Sequence, residues 1–162
     1  MYKKIMVPLD GSELAECVLP HVEAIGRGCN VGEVEFVSVV EPVYLPVGVL
    51  SDGSGIFTEQ DAERVREKTQ AMSESESKVY LANVASRVKL GKVKVQTKVI
   101  SGAAADSLAD YATKNDVDLI IIATHGRSGI SRWVFGSVAD RVLRSACVPV
   151  LMVRVPGCVP GI

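Results

Sequence analysis

The chain lacks what a membrane-spanning, metal-centred or disulfide-stapled protein would need. No stretch of its 162 residues approaches the roughly twenty consecutive apolar residues of a spanning helix. Its start, Met1 to Pro8, runs directly into a strand-like segment without the apolar core and cleavage site of a secretory leader, so a cytoplasmic location is expected. Cysteine is sparse: Cys17, Cys29, Cys147 and Cys158 form no C-x-x-C pair, and only His21 and His125 could join them around a metal. They read as buried or inert thiols. Charge of one sign is also missing. With 18 basic and 19 acidic residues the net charge is -1, which excludes a general attraction to nucleic acid or to anionic membrane. No Walker lysine follows a glycine loop, and neither a carboxylate pair nor a Ser/Cys–His constellation stands out, which argues against an enzyme.

What remains is a composition of 48% hydrophobic and 23% charged residues, long enough for one domain with a full core and too short for two. That domain is expected over residues 1–155, with a Pro/Gly-rich tail at 156–162. Residues 5–9 form a short apolar run that ends in Asp10-Gly11-Ser12, which suits a buried strand followed by a turn. Leu14, Val18, Leu19, Val22 and Ile25 recur at helical spacing behind Ser12 as a cap, Pro20 predicts a kink inside the helix, and Gly26-Arg27-Gly28 closes it. A second strand is expected over residues 34–40. The Pro-, Gly- and Ser-containing stretch 43–57 then reads as a mobile flap near a ligand.

Thr58 and Asp61 make a capping-box pattern at the head of a long helix. Ala62, Val65, Thr69, Met72, Val79 and Ala82 form its apolar stripe, and residues 73–77 form a solvated patch. A third strand over 93–100 is followed by a helix over 103–115 whose Leu108, Ala109, Tyr111 and Ala112 face the sheet. Residues 119–122 are apolar in succession, as a strand buried on both faces requires. Val138, Val142 and Leu143 mark the inner face of the last helix, and the fifth strand covers residues 148–153. Alternating strands and helices imply a single doubly wound, Rossmann-like α/β fold with helices on both faces of a five-stranded parallel sheet in the order 3-2-1-4-5.

That order places the reversal of winding between strands one and four, so a ligand crevice should open at their C-terminal ends, near Asp10 and His125. Strand four empties into a loop rich in Gly, Ser and Arg that reaches Gly136-Ser137 at the head of a helix. Glycine lets amides approach an oxygen closely, and a helix start offers unpaired N–H groups, so the loop is suited to phosphate. Arg127 lies nearer the strand end than Arg132 and is the better phosphate ligand. Asp10 also fits a plain turn and Ser12 a plain helix cap, while His125, lacking a catalytic partner, reads as loop structure or a phosphate neighbour.

The opening run Lys3 to Ser12, Gly102, the segment Asp118 to Val138, and Ser145 to Val153 together make the chain resemble the universal stress protein family, over most of its length. The ATP-binding branch carries G-x2-G-x9-G-(S/T), and that frame falls here on Ala123, Gly126, Gly136 and Ser137, with alanine in place of the first glycine. The resemblance implies an ATP-binding homodimer paired through the last strand, from Val148 to Val153, with Mg²⁺ or Mn²⁺ carried on the phosphates. It implies that Asp10 holds the ribose, that Leu9 and Val39 line the adenine pocket, and that Gly126, Arg127, Gly136, Ser137 and Val138 hold the phosphates. Pro8, Ser12, Ile122, Ala123 and His125 complete the implied nucleotide site. The function implied is a nucleotide-dependent switch read by a protein partner, with at most weak ATP hydrolysis. The alternatives are a nucleotide-independent dimeric signalling module or a slow ATPase.

Overall fold

The computed structural model describes residues 2–44, 48–49, 56–124 and 137–154. Along the chain run β1 (Lys4–Pro8), a 3-10 turn (Ala15–Val18), α1 (Leu19–Gly28), β2 (Glu33–Val40), β3 (Gly48–Val49), β4 (Ile56–Phe57) and α2 (Glu59–Arg87). They are followed by β5 (Lys94–Ser101), α3 (Ala104–Lys114), β6 (Leu119–Thr124), α4 (Ser137–Ser145) and β7 (Val150–Arg154). The main sheet is parallel, in the order β5-β2-β1-β6-β7. Counted along the chain, these five strands stand in the expected order 3-2-1-4-5.

Burial explains the order. Ile5, Met6 and Val7 of β1 and Ile120 and Ile121 of β6 are shut off from solvent, as central strands covered on both faces must be. One core, with Val7, Val18, Val22, Phe36, Leu81 and Ile121, packs under α1 and α2; the other, with Met6, Val37, Leu108, Ile120 and Val142, packs under α3 and α4. The edge strand β5 has no fully buried residue, with Lys94, Thr97, Lys98 and Ser101 exposed. At the N-terminal end of the sheet, buried Glu35 accepts a 2.9 Å hydrogen bond from the Tyr111 hydroxyl and pairs with Lys4 at 2.8 Å. Burial and then the Glu35 hydrogen bond raise the Tyr111 pKa to about 12.

Several sequence expectations are corrected. Pro20 does not kink a helix. The chain makes a 3-10 turn first, and Pro20 falls in the opening turn of α1, where its missing N–H has no partner to lose. The left-handed residue beyond α1 is Asn30, φ 53°, and not a glycine; Gly26 is instead a contact glycine whose Cβ would collide with the Leu90 side chain. Within 43–57, Gly48 pairs with Phe57 and Val49 with Ile56 as an antiparallel ladder, so that stretch has structure of its own; residues 45–47 and 50–55 lie outside the described residues.

The capping box of α2 is formed, with Asp61 N–H donating to Thr58 Oγ1 at 3.2 Å and Thr58 N–H donating to Asp61 Oδ2 at 3.1 Å. Its stripe differs: Val65, Met72 and Val79 are exposed, while Ala62, Leu81 and Val84 are buried. Ser73 and Ser77, expected in solvent, are half-buried on the inner face. In α4 the buried residues are Ala139 and Val142, whereas Val138 and Leu143 are exposed. Cys17 and Cys29 are half-buried and Cys147 is exposed, so the last is not a packed thiol.

Candidate functional site

Between β1 and β6 the winding reverses, and a cavity of about 320 Å³ opens at their C-terminal ends on the α3/α4 face. Each wall follows from its element. Pro8, Leu9 and Asp10 close β1; Val37 and Val39 come from alternate positions of β2; Ile122 and Ala123 come from β6. Ala104 and Leu108 of α3 and Val138 and Ala139 of α4 form the far side. The wall is mostly apolar, and Asp10 is the one charged residue among the described residues that line it.

Asp10 is held by a local turn. Its Oδ1 accepts the Ser12 N–H at 3.0 Å and the Ser12 hydroxyl at 2.6 Å, while Gly11 takes φ 86°, a left-handed conformation that favours glycine. Ser12 Oγ in turn accepts the Ala15 N–H at 3.1 Å and so caps the 3-10 turn. Both plain roles, turn and cap, are therefore filled. They use one oxygen of Asp10, and the carboxylate has no cationic partner among the described residues.

Of the residues singled out in the sequence, Pro8, Leu9, Asp10, Ser12, Val39, Ile122, Ala123 and Val138 meet at this cavity. Ser137 opens α4, whose first amides lie beside Val138 at the rim. His125, Gly126, Arg127, Arg132 and Gly136 lie outside the described residues, as does the Ser137 side chain. Sequence reasoning passed over Val37, Ala104, Leu108 and Ala139, which carry no chemical signal and are brought here by packing. It also passed over Thr124, whose buried Oγ1 has no hydrogen-bond partner among the described residues. Ahead of α3, Gly102 at φ 139° makes the turn, and a Cβ there would run into the Ser107 hydroxyl.

Fold and cavity define a doubly wound, Rossmann-like α/β protein whose apolar crevice lies at the topological switch point. The model of the universal stress protein family matches residues 1–154, and the chain belongs to that family. Universal stress protein MJ0531 of Methanocaldococcus jannaschii is 32% identical over 156 residues, covering 96% of this chain and 84% of that protein. The solved structure of protein MJ0577 from the same organism superposes with a TM-score of 0.74 at 26% identity, covering 97% of this chain and 99% of the other. A universal stress protein solved in complex with cAMP shares the fold, with a TM-score of 0.65 at 20% identity over 95% of this chain and 98% of the other.

Proposed function

We propose that the switch-point crevice binds an adenine nucleotide, ATP first, and that the bound state is a signal read by a partner protein. The observation that carries this is the division of the cavity: an apolar slot between β2, α3 and β6, one carboxylate at its mouth, and the start of a nine-residue helix at the opposite rim. An apolar slot suits a base, a carboxylate suits the hydroxyls of a ribose, and unpaired amides at the positive end of α4 suit phosphate. The residues thus fit the nucleotide. In this reading Leu9 and Val39 line the base, Asp10 takes the ribose, and Gly126, Arg127, Gly136, Ser137 and Val138 take the phosphates. Mg²⁺ or Mn²⁺ enters with the phosphates and completes its shell with water. The cAMP bound by a protein of the same fold supports an adenine ligand.

The switch works as a cytoplasmic homodimer joined through β7. No helix among the described residues is long and apolar enough to cross a membrane.

Val138→Asp tests the phosphate end. An acidic residue in the first turn favours the helix, and Val138 is 37% exposed, so the fold should be retained. Repulsion should weaken ATP binding at least tenfold in calorimetry. Unchanged affinity in that variant would remove α4 from the phosphate site.

A further inference from the structure

A second cavity, of about 420 Å³, lies on the opposite face of the sheet, between the C-terminal end of β2 and the inner face of α2. Three carboxylates edge it from three parts of the chain: Asp10 after β1, Glu41 after β2 and Glu76 on α2. None forms an ion pair with a described residue, although Glu41 Oε1 accepts the Ala104 N–H at 3.3 Å and Asp10 Oδ1 is taken by Ser12, and no basic side chain lines the cavity among the described residues. Inside it lies a hydroxyl without a partner: Ser38 is 5% exposed on an otherwise Val/Phe face of β2, and its hydroxyl makes no hydrogen bond among the described residues. Burying such a group is unfavourable unless something binds it. The Tyr80 hydroxyl is buried beside the Glu16 carboxylate. Burial first, then the negative charge of Glu16, hold the Tyr80 pKa well above the usual tyrosine range, so the group stays neutral.

We propose that this cavity is a second ligand site, for a small aliphatic polyammonium cation that spans the three carboxylates and hydrogen-bonds the buried hydroxyls. An anion is disfavoured by the unbalanced negative charge. A bare metal ion is disfavoured because no three His, Cys, Asp or Glu side chains among the described residues stand close enough to hold one. Ammonium groups carry several N–H donors on a flexible chain, and they match acceptors that are dispersed around a rim. Half-buried Ser73 and Ser77, which turn the inner face of α2 polar at this level, become part of the lining. The two cavities share Asp10 and Val39, so a nucleotide and a polyammonium ligand would both use the Asp10 carboxylate, while Ser38, Glu41 and Glu76 belong to the second cavity alone.

The test is a calorimetric titration of the full chain with spermidine at low salt and without nucleotide, because ATP itself sequesters polyamines. The expected result is saturable one-to-one binding that weakens with added salt. Glu76→Gln should lower the affinity at least tenfold, and Ser38→Val, which replaces the hydroxyl with a residue that suits a strand, should also lower it. Val138→Asp should bind spermidine no more weakly than wild type, since it alters the other cavity and adds a negative charge. Absence of saturable binding, equal affinity in wild type and both cavity variants, or loss of spermidine binding in Val138→Asp would overturn the proposal. So would Mg²⁺ binding that shows the same dependence on Glu76 and displaces spermidine.

Discussion

At position 123 one methyl group separates this chain from the glycine of the ATP-binding pattern. Among the described residues the non-glycine positions with positive φ are Asn30 and Asp116, so Ala123 sits in ordinary strand backbone and glycine there would relieve no strain. Only volume remains as a reason for the difference. Ala123 lines the crevice and pairs in register with Val153. If the crevice holds nucleotide, Ala123→Gly should tighten ATP binding about tenfold, a methyl contact being worth roughly 1 kcal/mol. Ala123→Leu should abolish binding. Calorimetric titrations in which both variants match wild type would place position 123 away from the ligand. Asp10 was legible from the turn chemistry of Asp-Gly-Ser; Ser38 was not. Its only sequence signal is a hydroxyl at an inward position of a strand, and many buried serines are satisfied by backbone.

Among the elements, β7 leaves an edge open. Among the described residues it pairs with β6 on one side only, and Val150, Leu151 and Met152 stay partly exposed. An apolar edge strand is a template for pairing with a second chain. The expected mass in light scattering is therefore twice 17.3 kDa, and Leu151→Lys, whose stem can lie along the core while its ammonium reaches water, should give a folded monomer by circular dichroism. A monomeric wild type, or a dimer that survives the substitution, would refute pairing through β7. The helix α2 shows where periodicity misleads. Val65, Met72 and Val79 recur every seven residues and mark a face in the sequence, yet that face points outward. The inner face is polar over Ser73 and Ser77, where it covers a cavity, between buried Ala62 and the core residues Leu81 and Val84.

The molecule as a whole is tied at the end of the sheet away from the crevice. Asp118, just before β6, accepts the backbone N–H groups of Lys3 and Lys4 at 2.7 and 2.8 Å and so joins the N-terminus to β6. The Lys4 amide first, burial opposing and the Lys3 amide adding to it, holds the Asp118 carboxyl below its ordinary value of 3.8. A depressed carboxylate stabilises the fold fully above its unfolded pKa, and that contribution disappears as the pH falls through the lower folded value. Asp118→Asn should cost roughly 1 kcal/mol at neutral pH, discounted for partial exposure. Urea melts at a series of pH values should show a smaller loss of stability below about pH 4 in the variant than in wild type. Equal acid dependence of the two proteins would mean that Asp118 does not carry this coupling.

Strand order, the two-faced burial of β1 and β6 and the position of the crevice were set by the sequence alone, because alternating apolar runs and right-handed crossovers leave few ways to close a parallel sheet. Two of the turns that needed a particular backbone, at Gly11 and Gly102, were legible for a related reason: glycine marks the places where other residues fit poorly. Tertiary structure decided what pattern could not carry. It turned α2 so that its polar residues face inward, brought Ala104 and Leu108 to the wall of one cavity, and set Glu41, Glu76 and Ser38 around another. They come from segments distant in sequence, and each residue is unremarkable in its own segment. Their meaning arises only when the packing of α2 and α3 on opposite faces of one sheet fixes what each side chain must satisfy.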